Sequence, residues 1–177
     1  MLSYVVNVAA DRIVEIDGPW GAFAARNGAP ALTRAAVLSQ SFLSFVAGAE
    51  MKQLTSMLLA RVRSGEGVSL EFRCDSPGER CHLLFESFRV GDAAVHCATS
   101  LLRAEPRPAP AILGSSVART DAILIVCSWC CRVRLDDSEW VEVEEAIARL
   151  ELFEDPAVPR LSHGVCPVCA PLLRGPR

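Results

Sequence analysis

The sequence predicts an α+β chain in two parts, and three observations carry that prediction. Short β-prone runs open the chain and recur after residue 68, with a helical spacing of apolar residues between them. A stretch holding Pro106, Pro108 and Pro110 then interrupts the pattern. Beyond it lie two Cys-x-x-Cys pairs, in a stretch too short to build a large core by burial alone.

The elements follow in order. Leu2–Val8 and Arg12–Asp17 read as two strands joined by a short loop, hence a hairpin. Gly18-Pro19 breaks the second strand, and Trp20–Asn27 suits a short helix ended by Gly28. Short helical turns continue to about Ala47. Met51, Leu54, Leu58 and Val62 then share one face of a helix over Ala49–Arg63, which Ser64-Gly65 ends. Val68, Leu70, Phe72 and Cys74 recur at every second position, as one face of a strand does. Asp75-Ser76-Pro77-Gly78 is a turn, Arg80–Val90 a second strand, Gly91-Asp92 a turn, and Ala93–Arg103 a third strand.

These boundaries give a domain over 1–104, a linker over 105–122 that includes Gly114-Ser115-Ser116, and a second module over 123–177. The second module opens with a strand at Ile123–Val126. Residues 138–152 read as a helix, with Ser138 as its cap and Trp140, Val143, Ile147 and Leu150 on one face. Pro156 and Pro159 stop it.

Charge narrows the function classes. Residues 1–104 carry 10 basic and 10 acidic side chains, and 105–177 carry 8 and 11, so the acidic excess lies beside the cysteine pairs. A nucleic-acid-binding regulator would show the opposite bias, and charge argues against that reading. Residues 1–7 lack the basic and apolar regions of a signal peptide, and no apolar run is long enough to span a bilayer. A cytoplasmic protein without membrane association is therefore expected. There, eight cysteines are better explained by metal binding than by disulfides.

The metal motif is Cys127-x-x-Cys130, then 35 residues, then Cys166-x-x-Cys169. A two-residue gap lets both thiolates of a tight turn face one ion, and four thiolates complete the tetrahedron of a structural zinc. The 35-residue gap requires the intervening helix to fold back over the site. Cys131 could replace Cys130 as a ligand, and His163 could ligate or support a thiolate from outside the ligand set. Four cysteines leave no open position for catalysis, so the expected metal is structural and the chain is not expected to be an enzyme. Nucleotide-binding, kinase and nucleophile-elbow motifs are absent from the sequence. His82 and His96 on strands are candidate haem ligands, though surface or hydrogen-bonding roles explain them as well. Cys74, Cys81 and Cys97 read as small apolar residues, with Cys74 and Cys81 placed to form a redox pair across one turn.

Two segments resemble known proteins. The element order of the first 104 residues, the opening Arg12-Ile13-Val14-Glu15-Ile16, the helix Glu50–Arg63 and the run Glu71-Phe72-Arg73-Cys74-Asp75-Ser76-Pro77 resemble a PAS domain of bacterial sensory proteins. Cys127-Ser128-Trp129-Cys130, Arg132-Val133-Arg134, Trp140 and Ser162–Cys169 are similar to a cysteine-rich segment that follows sensor domains in bacterial signalling proteins. The resemblance implies a five-stranded antiparallel sheet with helices on one face, followed by a small zinc-stabilised module. It also implies signalling through ligand binding or dimerisation, with a small molecule or a protein as partner, and leaves the organic ligand unnamed. Trp20, Phe23, Phe42 and Phe45 are candidates to line a pocket, and core packing also accounts for them. A redox sensor that cycles the same four thiols between zinc and disulfide is the alternative reading.

Overall fold

The computed structural model describes residues 1–26, 28–46, 48–76, 78–113, 117–152 and 157–175. Asn27, Ala47, Pro77 of the expected turn, Gly114-Ser115-Ser116 of the expected linker and Pro156 lie outside the described residues. The fold is mixed α+β with two sheets. It divides into two compact units, Met1–Glu71 with Leu83–Leu101, and Phe72–His82 with Leu102–Arg177. The segment 72–82, expected inside the 1–104 domain, thus groups with the cysteine-bearing part.

The first unit starts with the expected hairpin, β1 (Leu2–Asn7) against β2 (Arg12–Asp17). Its turn is held by the Asn7 side chain, which accepts from the Ala10 N–H at 3.0 Å. The β1 strand also pairs antiparallel with β5 (Ala94–Pro106), so the chain's start is stitched to a strand about ninety residues later. With β3 (Val68–Arg73) and β4 (Glu79–Val90), the strands form a five-stranded antiparallel sheet of order β2-β1-β5-β4-β3. Gly18 follows β2 at φ +83°, where a Cβ would come within 2.8 Å of the Met1 carbonyl oxygen, so only glycine fits this exit.

Between β2 and β3 run α1 (Trp20–Arg26), α2 (Arg34–Val37), a 3-10 turn (Phe42–Phe45) and α3 (Ala49–Arg63). The helix α3 buries Leu54, Leu58, Leu59 and Val62, the face expected from their spacing. Ile13, Ile16 and Val37 form a core cluster with Tyr4, Trp20 and Phe42 around it. Phe42 packs on Tyr4 at 5.5 Å between ring centroids, and Trp20 donates its indole N–H to the Leu32 carbonyl at 2.7 Å. Phe45 stays 44% exposed, so the four aromatics do not form one lining. Cys97 is fully buried beside Ser87, 3.5 Å from its hydroxyl, and burial pushes the thiol up to about 11.

The second unit is built on a four-stranded sheet of order β8-β7-β6-β9. Its strands are β6 (Arg119–Cys127), β7 (Val133–Arg134), β8 (Trp140–Val141) and β9 (Val158–Gly164), with α4 (Val143–Arg149) and α5 (Cys169–Arg174). Ile112, Leu124, Val133, Val141, Val143, Ala146 and Val158 make its core. The strand β6 begins four residues before the expected Ile123. Arg119 explains the extension: its guanidinium donates to the Pro159 carbonyl at 2.9 Å and the Ile112 carbonyl at 2.8 Å, tying the expected linker into the core.

The helix expected over 138–152 forms only over Val143–Arg149. Ser138 does not cap it. Asp136 instead accepts from the Ser138 and Glu139 N–H groups at 2.8 and 2.9 Å, and this turn pairs Arg134 with Trp140 across β7 and β8. Local turn chemistry at Asp136 outweighs the helical spacing of Trp140.

An ion-pair network crosses the second unit. Arg73 bonds both Asp75 and Glu142, Arg80 bonds Glu144 at 2.7 Å, and Arg107 reaches Asp75 and Glu144 at 3.4 Å each. Burial pushes the Glu144 carboxyl up. Its own backbone N–H, the Arg80 bond and the Arg80 and Arg107 charges outweigh that and hold it below its ordinary 4.5. A lowered carboxylate value stabilises the fold above the unfolded-state value, and that stabilisation fades as pH falls through the folded-state one. Glu144→Gln is therefore expected to lower the urea midpoint at pH 7, by an amount typical of a partly exposed pair, roughly 0.2–1 kcal/mol. The difference from wild type should vanish in acid, where both carry a neutral side chain; an unchanged gap at low pH would contradict the charge argument.

Candidate metal centre

The cysteines are brought together by the parallel pairing of β6 with β9. Parallel strands need a long crossover, and the chain from Cys131 to Val165 supplies it as the β7–β8 hairpin and α4. Because the two strands run the same way, their C-terminal ends lie side by side, with Cys127 opposite Gly164. Cys127 closes β6, and Cys166 follows β9 by two residues. The 35-residue gap is thus the length of one crossover, and the fold-back expected of the helix is accomplished by the sheet.

Each pair turns tightly. In the first, Cys127 N–H donates to the Arg132 carbonyl at 2.7 Å, Cys131 N–H to the Cys127 carbonyl at 3.0 Å, and Ser128 N–H to the Gly164 carbonyl at 2.9 Å. In the second, Cys169 and Ala170 N–H groups donate to the Cys166 carbonyl at 3.1 and 3.0 Å, which starts α5. The four sulfurs of Cys127, Cys130, Cys166 and Cys169 all lie within 4.8 Å of one another. Cys127, Cys166 and Cys169 are buried and Cys130 is partly so. The Cys130 and Cys166 sulfurs are 3.8 Å apart, and the Cys166 N–H points at the Cys127 sulfur at 3.4 Å. A four-cysteine cluster of this kind could hold a metal ion such as zinc.

The electrostatics suit a cation. Hydrogen bonds from Cys130 and Cys169, then from the Cys166 N–H, hold the Cys127 thiol far below its ordinary value. Its negative charge and its sulfur bond in turn push Cys130 up to about 12 and Cys169 further still. Four adjacent thiolates repel one another, and a divalent cation among them would offset that repulsion and favour their ionised form.

The two doubtful ligands stand outside the cluster. The Cys131 thiol turns to the Arg73 carbonyl at 3.6 Å, and its backbone sits at φ +61°. That left-handed conformation is what the turn after a Cys-x-x-Cys pair demands, and a non-glycine residue adopts it at some cost. His163 is an exposed residue of β9 paired with Val126, and no ring contact to the cluster exists among the described residues. His82 Nε2 accepts from the Arg103 guanidinium at 3.1 Å, and His96 stacks on Phe88 at 4.7 Å. Cys74 is exposed and Cys81 partly buried; they share the Cys74 N–H to Cys81 carbonyl bond at 3.0 Å.

Sequence reasoning named Trp129 only within the resemblance and gave it no role of its own. It is 9% exposed, packs at a tilt of 40° against Phe72 with ring centroids 5.3 Å apart, and its carbonyl accepts from the Arg73 N–H at 2.8 Å. A tryptophan between paired cysteines was the available signal, since a turn tip facing solvent would more often be polar. Among the described residues no helix is long and apolar enough to cross a membrane. Models of known protein families, curated proteins and solved structures were each compared with this chain, and none matches it.

Proposed function

We propose that Cys127, Cys130, Cys166 and Cys169 bind one structural zinc ion in a cytoplasmic sensory or regulatory protein whose first unit is a PAS-like domain. The observation that carries the metal half is the convergence of four sulfurs within 4.8 Å, three of them buried. Buried thiols gain nothing from such crowding unless a cation joins them. The sensor half is supported by element order: two strands, short helices, the longer α3 and three more antiparallel strands, as the resemblance implies. In this reading the first unit takes a small molecule or a protein partner, a second copy included, and the zinc unit is a rigid platform. The ion itself would be structural rather than catalytic, because a four-thiolate ion has no free coordination position.

Metal analysis of the purified chain tests the reading. About one equivalent of zinc is expected. Cys166→Ser should lose most of it, whereas Cys131→Gly and His163→Ala should retain it. Cobalt substitution should give the intense sulfur-to-cobalt absorption of a four-thiolate site. Metal-free protein with full solubility and reversible unfolding would sink the proposal, and a visible band without added cobalt would point to another cofactor.

A redox role for the same thiols has one observation in its favour, the 3.8 Å approach of the Cys130 and Cys166 sulfurs. Hydrogen peroxide would take two electrons from that pair of thiolates and two protons from solvent, forming one disulfide and two waters and releasing the ion. Zinc release under mild peroxide, reversed by dithiothreitol with zinc present, distinguishes this sensor from a static site.

A further inference from the structure

We infer that metal occupancy of the four-cysteine site sets the order of the β3–β4 hairpin tip, with the Trp129–Cys131 stretch as the connection; this rests on the metal reading above. All the contacts involved lie within the second unit, which holds both the tip, Phe72–His82, and the cysteine pairs.

Three contacts join the first cysteine pair to the end of β3. The Arg73 N–H donates to the Trp129 carbonyl at 2.8 Å, the Trp129 ring lies on Phe72, and the Cys131 thiol meets the Arg73 carbonyl at 3.6 Å. Strand β3 is the last in its sheet. Its next residue, Cys74, gives its N–H to β4 through the Cys81 carbonyl at 3.0 Å, so the Arg73 N–H faces away from the sheet. An edge N–H of this kind is either covered or left to solvent. Here the backbone of the cysteine turn covers it.

The cover depends on the ligands around it. Trp129 immediately precedes Cys130, and Cys131 immediately follows it, at φ +61°. A non-glycine residue keeps that conformation only when its surroundings enforce it. A metal–sulfur bond at Cys130, shared with Cys127 and the second pair, supplies the enforcement. Without it, the turn is left to three backbone hydrogen bonds, Cys127 N–H to Arg132, Cys131 N–H to Cys127 and Ser128 N–H to Gly164. Loosening the turn releases the Arg73 N–H and removes the support beneath Phe72.

The effect propagates along named bonds. Arg73 also bonds Asp75 and Glu142, and Asp75 accepts from the Cys81 N–H at 3.2 Å. Shifting the Arg73 backbone therefore disturbs both strands of the tip. From there β3 and β4 continue by covalent chain into the first unit at Glu71 and Leu83. The cysteine turn is thus placed to report metal loss to the hairpin rather than only to brace itself.

Amide hydrogen exchange on the full chain tests this, with cobalt absorption run in parallel to report thiolate coordination. In wild type, stripping the metal under reducing conditions should speed exchange at the Arg73, Cys74 and Cys81 amides by ~10-fold or more, and adding zinc back should restore it. Trp129→Ala keeps all four ligands. Its cobalt spectrum should match wild type, while the tip amides exchange fast even with metal bound. A metal-loaded Trp129→Ala tip as protected as wild type would overturn the inference, as would a stripped wild-type tip with unchanged exchange. Failure to bind cobalt through thiolates would instead overturn the metal reading, so the two failures are separable.

Discussion

Stripping the ion from the four-cysteine site is expected to lower the melting temperature of the second unit by roughly 15 °C or more. The main core cluster of that unit is made of small and medium side chains, chiefly Val133, Val141, Val143, Val158 and Ala146 with Ile112 and Leu124, and Trp129 and Leu173 are buried outside it. Its strands β7 and β8 are two residues each. Such a unit buries limited apolar surface, and natural domains of that kind add a metal or disulfides. The four cysteines join the ends of β6 and β9 to α5, elements otherwise linked through a long crossover. An ion bound at free concentrations a thousandfold above its dissociation constant stabilises the folded form by ~4 kcal/mol. For a unit of this size each ~1 kcal/mol moves the midpoint by about 4–8 °C. Melting followed by circular dichroism, with and without a zinc chelator and with a reductant throughout, reads the shift. Coincident curves would mean that sulfur crowding reflects packing alone.

The readable parts of this chain are those in which one local rule acts unopposed. The helix Ala49–Arg63 has its apolar stripe and a Ser-Gly stop, and it forms over the expected residues. The opening hairpin is equally plain, because β-prone runs flank a short loop. The four clustered cysteines are legible from spacing alone, since Cys-x-x-Cys imposes its own turn. The second module was harder to read, and each difficulty has a physical source. Trp140 fits both a helical stripe and a two-residue strand, and the Asp136 turn decides for the strand. Pro159 reads as a helix stop, yet it sits within β9, where an edge position tolerates the missing N–H. The parallel pairing of β6 and β9 joins segments forty residues apart, and no local pattern encodes that register. The grouping of 72–82 with the C-terminal residues arises from side chains such as Arg73 and Trp129, whose partners no one-dimensional pattern names.

Asp75 carries the second large expectation: Asp75→Ala should destabilise the metal-loaded protein by about 3 kcal/mol. Its side chain is 5% exposed and lies between two arginines of similar burial, Arg73 at 10% and Arg107 at 5%. It also accepts from the Cys81 N–H at 3.2 Å, so one carboxylate satisfies two guanidinium groups and a backbone donor. Removing it leaves two buried positive charges facing each other across an emptied space. Glu142 still meets Arg73 at 2.7 Å and Glu144 still meets Arg107 at 3.4 Å, which keeps the loss below that of a fully isolated charge. Asp75→Asn preserves an acceptor for the Cys81 N–H but loses the negative charge, so it should cost about half as much. If repulsion between the stranded arginines is the cause, Arg107→Met in the Asp75→Ala background should recover part of the loss, since an apolar replacement carries no charge to strand. Urea denaturation of the four proteins measures all three differences. A loss under about 0.5 kcal/mol for Asp75→Ala would place the network among weak surface pairs. A double variant no better than the single would assign the cost to the orphaned Cys81 N–H rather than to charge.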